Sequence, residues 1–561
     1  MKRLLLTLCA LCFFATPMLA KPFVPQEPVL DLDQVKVGER GYMKTEVDGG
    51  QLKTFPVEAL EVVHATSRPK KTLLIRALKG GLDAYGGFAE GMSGSPVYFR
   101  DKLVGAVGYT WAYGDHNLAQ VTSIGDMVSI FDEGGQSKKE HLKVEEEVEE
   151  ESQLQDLLPT ARWTLSGISQ RGLNTLEKST GLKVVTGRQA MVNAKDRTVN
   201  QPLKPGESVA ALIAWGDVDM SSYGTVTAVS DDGRFLAYGH SMEHYGKVNV
   251  AAAKAHVHLV VPSVEIPFKL ASTGPIVGSV THDRAEAIGG VFGTYPLANS
   301  FKITWRDEQG HDVVKRFQMA PDKVFFSSMG MSLLMGLIDD MQNRIGPGTV
   351  SYDLKFSGAG FAQGFECQDL VASTEDATFE AVSAMYDMIW PLIDNPYQSL
   401  SPYGVELKLK TTPQVRQAKL TNLSVEEKED TVVVSFQLLP TFGDRKALTH
   451  QVILPKPEGD MPYSIVVRGG NPEGIDPNEE NGPETFADLV AQLKNMEHHN
   501  QVIVEVEGED LVPDAQDLSA SELRKAMSDL GYRRVFKIEA QPIGALRWMS
   551  EGYEEVDEDE D

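Results

Sequence analysis

The chain has 561 residues and a formal charge of −27, from 80 acidic and 53 basic side chains. Repulsion from phosphate backbones at that charge argues against a nucleic-acid-binding protein, and the length allows several domains with a sizeable apolar core. With three cysteines, two of them at positions 9 and 12, only Cys367 lies in the body of the chain, so stability has to come from packing and not from an intramolecular disulfide.

The first twenty residues, MKRLLLTLCALCFFATPMLA, combine Lys2 and Arg3 with an apolar run and a small residue at Ala20. This is the layout of a signal peptide, with cleavage after Ala20 and an exported product, periplasmic or secreted, as the expectation. No later stretch approaches the roughly 20 continuous apolar residues of a spanning helix, so no integral membrane segment is expected in the mature chain.

Residues 21–133 read as a compact β domain. Short alternating or apolar runs broken by Gly and Pro (ERGYMKTEV, FPVEALEVVH, KTLLIRAL, PVYF, KLVGAVGY) predict strands, and SIGDMVSIF predicts a closing helix with Ile124, Met127, Val128 and Phe131 on one side. The acidic segment 134–155, centred on EHLKVEEEVEEE, reads as a linker, and the acidic end 551–561 as a tail. Strand-like runs resume over 156–325, among them SVAALIAW, YGTVTAVS, RFLAYG and HVHLVVPSV. Helices are expected at 331–345 and 377–389 in a connecting region 326–400, with Pro391 ending or bending the second. A C-terminal region of strands and helices, α+β or a β-sandwich, occupies 401–550.

The stretch GMSGSP (91–96) carries the chemistry. Gly91 and Gly94 bracket Ser93, and Pro96 limits the exit of the turn. An acyl-transfer serine needs its hydroxyl on a rigid turn, with backbone N–H groups converging on the oxygen that becomes negative. Gly91 and Ser93 are the candidate oxyanion donors. Because a hairpin follows Ser93 where lipases have a helix, an ester hydrolase of that kind carries less weight. The bland reading, a hairpin turn rich in Gly and Ser, accounts for the same six residues.

With GMSGSP and the later turn DDGRFLAYGHSM, the sequence resembles the SpoIVB peptidase family, a trypsin-like group of serine peptidases. The resemblance covers 29–132 and 204–300. It implies a mainly β fold of trypsin-like barrel units, Ser93 as nucleophile, His240 as general base, a protein or peptide substrate of the cell envelope, and neither metal nor organic cofactor. Two departures stand out: the serine precedes the histidine by 147 positions, the reverse of the family's order, and the family's aspartate position falls on Leu78. Asp283, in THDRAEA, is the first choice for the acid because a charge in an apolar, Gly-rich region needs a partner; a pair with Arg284 is its structural alternative. Asp217 and Asp219 read as turn residues, His116 and His244 as competing histidines, and Cys367 as a small core residue. Two functions of different class follow: an exported serine endopeptidase, or an inactive envelope-binding or scaffold protein on a protease-like fold.

Overall fold

The computed structural model describes residues 21–132, 157–159, 162–186 and 201–551, apart from 308, 444–445, 460, 480–481, 509–510, 514 and 516–517. The expected signal peptide and acidic linker lie outside the described residues, as does all but the first residue of the acidic tail.

Strands β1 (Arg40–Val47), β2 (Gln51–His64), β3 (Lys71–Ala77), β4 (Pro96–Phe99), β5 (Lys102–Trp111) and β6 (Leu118–Ser123) close a six-stranded β-barrel in the order β4-β1-β2-β3-β6-β5, with β4–β5 pairing as the seam. Met43, Val57, Ile75, Val97, Val107 and Val121 belong to its apolar core, all fully buried. Arg100 and Asp101, both with φ near +55°, make the tight turn between β4 and β5. That twist suits a two-residue hairpin, and the Arg100 guanidinium is held by Glu39. Helix α1 (Ile124–Ser129) follows, capped by Ser123, whose hydroxyl accepts from the Asp126 N–H. It packs Ile124 and Met127 with Ala228 and Leu236 of the next unit. Strand β7 (Leu157–Pro159) adds to the free end of β5.

The second unit begins with β8 (Trp163–Ser166), α2 (Gln170–Thr180) and β9 (Val184–Thr186). It continues through β10 (Ser208–Gly216), β11 (Asp219–Val229), β12 (Arg234–Ala237), β13 (Gly246–Val261), β14 (Phe268–Arg284) and β15 (Ala287–Phe292). Pairing runs β10-β13-β14-β15-β12-β11 and returns from β11 to β10, so six strands form a closed ring. From β10 the same sheet extends through β17 (Asp312–Met319), β16 (Asn299–Arg306), β20 (Tyr403–Thr412), β18 (Gly348–Gly358) and β19 (Phe361–Ser373), giving thirteen strands in all. Tyr403–Thr412, whose sequence reads as the start of the C-terminal region, is thus an inner strand between β16 and β18. Helices α3 (Lys323–Phe325), α4 (Met331–Gln342) and α5 (Ala377–Ile393) bury Phe325, Leu333, Leu337, Met385, Met388 and Leu392 in the core of this unit. Pro391 does not end α5, which continues past it to Ile393. Among the described residues one helical stretch, Lys323–Gln342, has the length and hydropathy of a membrane span, and most of its apolar part is buried inside the fold.

Two four-stranded sheets share one core in the C-terminal unit. One runs β23 (Leu448–Pro455), β22 (Thr431–Pro440), β21 (Gln417–Glu427), β27 (Gln541–Ile543). The other runs β26 (Arg533–Lys537), β25 (Gln501–Gly508), β24 (Tyr463–Gly469), β28 (Ala545–Met549). Helix α6 (Phe486–Asn495) joins the larger core through Leu489 and Leu493, and α7 (Ala520–Asp529) starts in a capping box at Ser519 and Glu522. Below α6 the Glu497 carboxylate accepts from Arg468, Arg533 and the Asn471 N–H, at 2.6–2.9 Å. Removing Glu497 leaves the Arg468 and Arg533 guanidinium groups sharing a single carboxylate, Glu505. Glu497→Ala is expected to destabilise this unit by about 3 kcal/mol, read as a shift of its denaturant midpoint; a change below about 0.5 kcal/mol would mean that the network is solvated.

Candidate active site at the seam of the two units

The serine turn is pressed against the second ring. Ser93 O accepts from Thr225 N at 2.7 Å, Gly91 O from the Thr225 hydroxyl at 3.0 Å, and Gly94 O from the Thr227 hydroxyl at 2.8 Å. Both bracketing glycines are left-handed, Gly91 at φ +86° and Gly94 at φ +89°. A Cβ on Gly94 would lie 1.9 Å from Thr225 O and 2.4 Å from Tyr238 N. Only glycine fits both the backbone and the close approach.

His240 follows β12 on the facing side of the seam. The Thr122 hydroxyl of the first barrel donates to Gly239 O. The imidazole lies between Tyr238 and Tyr109, with ring centroids 5.7 and 5.8 Å away. Tyr109 is on β5 two residues beyond Val107, whose backbone binds both Gly94 N and Ser95 O. The structure therefore gathers the Ser93 and His240 segments in one seam despite the 147 positions between them.

Ser93 is fully buried and His240 is 2% exposed. Among the described residues neither Ser93 Oγ nor His240 Nε2 has a hydrogen-bond partner, and no hydrogen bond joins them. Buried polar atoms left unpaired are uncommon and call for an explanation. Here a hydroxyl and an imidazole nitrogen are left so on facing segments of one seam. His240 Nδ1 lies 2.5 Å from Ser241 O, so Nδ1 carries the proton and Nε2 keeps its lone pair. Burial pushes this imidazole down to about 4, against the Ser241 contact, and the ring is neutral at physiological pH.

The N–H groups of Met92, Gly94 and Ser95 are spent on Ala89 O, Val107 O and Met92 O. Those of Gly91 and Ser93 have no acceptor among the described residues, as an oxyanion site requires. Ser95 is also buried with an unpaired hydroxyl, but its own N–H and C=O are both used in the turn and ladder.

Asp283 does not touch the imidazole. Its carboxylate accepts from the N–H groups of Met242 (2.6 Å), Tyr245 (2.9 Å) and Glu243 (3.1 Å). The expected direct acid contact is replaced by an indirect one. Asp283 ties down the loop after His240, and a backbone carbonyl of that loop, Ser241 O, orients the ring. Asp283 needs a partner as a buried charge does, and finds it in backbone donors in place of a side chain.

The competing aspartates have structural work. Asp217 accepts from Arg316 N, and Asp219 from the hydroxyls of Ser221 and Thr273. The His116 ring lies 3.3 Å from Val264 O through Nε2, and its buried Nδ1 has no partner among the described residues; His244 is exposed, and Cys367 is a buried thiol pushed up to about 12 by its burial.

The sequence reading missed Lys269 and Glu46. The Lys269 ammonium is buried and donates to Thr45, Ser208 and Thr225, so Thr225 hands its own proton to Gly91 O. Burial pushes Lys269 down to about 7, with Glu46 pulling the other way. One charged residue inside the strand run FKLAS was the only trace of this network in the sequence.

The SpoIVB peptidase S55 family matches residues 18–116. The match covers β1–β5 of the first barrel and Ser93, and ends before β6 and His240. Together with the closed barrel it supports a peptidase-superfamily fold, and with it enzymatic potential at the level of the superfamily. No curated protein and no solved structure matches the chain.

Proposed function

We propose that the protein is an exported serine endopeptidase, periplasmic or secreted, acting on envelope or secreted proteins by acyl transfer at Ser93. On this reading the closed ring around β10–β15 is the second barrel of a trypsin-like pair with its two halves in reversed order. Ser93 Oγ attacks the peptide carbonyl and passes its proton to His240 Nε2, while the oxyanion is taken by the N–H groups of Gly91 and Ser93. Collapse breaks the C–N bond, His240 protonates the leaving amine, and water releases the acyl group by the same steps in reverse. Ser241 O and Asp283 act as positioning groups. The observation that carries the reading is the pair of buried, unpartnered atoms, Ser93 Oγ and His240 Nε2, on facing sides of the seam.

The test is mass-spectrometric mapping of a fluorophosphonate adduct on the purified protein. An adduct on Ser93 that survives Ser95→Ala and disappears in Ser93→Ala is expected. An adduct confined to Ser95 would overturn the assignment of the nucleophile. No adduct, under conditions that label a control protease and with residues 157–162 replaced as described below, would favour the second reading, an inactive binding or scaffold protein. That reading draws on the long C-terminal half, where the sequence shows no catalytic constellation.

A further inference from the structure

Hydrogen bonds along one edge of β5 define what lies beside the serine. Ala106 and Gly105 pair with Pro96 and Val97 of β4. Val107 then takes the serine turn itself, its C=O accepting from Gly94 N and its N–H donating to Ser95 O. The next residues on that edge, Tyr109, Thr110 and Trp111, pair antiparallel with Pro159, Leu158 and Leu157. β7 thus continues the line of β4 beyond the serine turn, and its residue nearest the serine, Pro159, faces the tyrosine that packs on His240.

Two further anchors follow in the same stretch of chain. Past 160–161, which lie outside the described residues, the Arg162 guanidinium pairs with Glu90 at 2.7 Å, three residues before Ser93. The Trp163 indole N–H donates to Glu243, three residues after His240. The stretch is therefore fastened on both sides of the seam. A free strand edge is a template for an extended peptide, which adds to it through main-chain hydrogen bonds. This edge is already filled, and Ser93 and His240 beside it are buried.

We propose that Leu157–Pro159 is a built-in occupant of the edge where a peptide substrate is taken up, and that it keeps Ser93 latent until displaced. The proposal rests on the reading of Ser93 as a nucleophile. Among the described residues β7 ends its sheet and pairs with β5 alone, so it can leave without breaking another described strand pair. Three residues bind weakly as a free peptide, yet belonging to the same chain gives them a high effective concentration. Arg162 adds a second hold through Glu90, a carboxyl that burial pushes up to about 7 against the pull of that guanidinium.

The experiment compares the purified mature chain with Arg162→Ala, and with a chain whose residues 157–162 are all replaced by glycine and serine. Two quantities are read: the rate of fluorophosphonate labelling of Ser93, and hydrogen exchange at the amides of Tyr109–Trp111. Faster exchange at 109–111 with at least a tenfold rise in labelling is expected in the replaced chain, and a smaller rise in Arg162→Ala. Labelling within twofold of the unaltered chain, with exchange increased, would overturn latency and leave the nucleophile standing. An unlabelled Ser93 with exchange increased would overturn the nucleophile itself. Unchanged exchange in the replaced chain would mean that β7 does not cover this edge, and the proposal would fall.

Discussion

His240→Ala is expected to slow acylation of Ser93 by about a thousandfold, the middle of the range for loss of a general base. Because burial holds the imidazole at about 4, the acid limb of the labelling rate should fall near pH 4, well below the ordinary histidine range near 6.5. The same shift couples to stability. Between pH 6.5 and 4 the unfolded chain binds a proton that the folded chain refuses, so stability present above 6.5 is lost as pH falls toward 4. The shift corresponds to roughly 3 kcal/mol. Denaturant midpoints measured across that window should drop for the unaltered protein, and His240→Ala should remove this part of the drop. A midpoint profile identical in the two proteins would mean that the imidazole is hydrated and free to ionise.

Gly94→Ala is expected to cost about 4 kcal/mol. The left-handed backbone at φ +89° accounts for about 1–2 kcal/mol of this. The remainder is overlap, because the new methyl group would sit 1.9 Å from a backbone oxygen of the second ring. Relief requires the serine turn to withdraw from Thr225 and Tyr238, so the hydrogen bonds from Thr225 and Thr227 are strained together. Gly293→Ala is the matched control: φ is +77° there and nothing lies within 4 Å of the added carbon, so only about 1 kcal/mol of strain is expected. Equal destabilisation of the two variants in chemical denaturation would contradict the close packing of the seam.

The serine turn was legible because its requirements are local. A left-handed backbone, small neighbours and a following hairpin are written in GMSGSP and the alternation after it. His240 was legible only through the resemblance carried by AYGH, since nothing in sequence spacing brings position 240 to position 93; the closure of each ring of strands does. The acid was sought among side chains, but a main-chain carbonyl orients the imidazole, and main-chain atoms leave no mark in a sequence. Asp283 reads in the sequence as a charge in need of a partner, and the structure gives it three N–H groups. Lys269 escaped notice because one lysine in an alternating strand looks like an outward-facing residue, and only the docking of the barrel on the ring buries it. Tyr403–Thr412 has the alternation of any half-buried strand, so its place inside the thirteen-stranded sheet follows from tertiary pairing alone.

A crystal structure of the fluorophosphonate-treated protein, with residues 157–162 replaced, tests the shared site most directly. The phosphorus should be bonded to Ser93 Oγ, with one phosphoryl oxygen within hydrogen-bond distance of the N–H groups of Gly91 and Ser93, and His240 Nε2 about 2.6–3.2 Å from the Ser93 oxygen or the adduct. An unmodified Ser93, or a modified one with His240 turned away and beyond hydrogen-bond reach, would contradict a serine–histidine site at this seam.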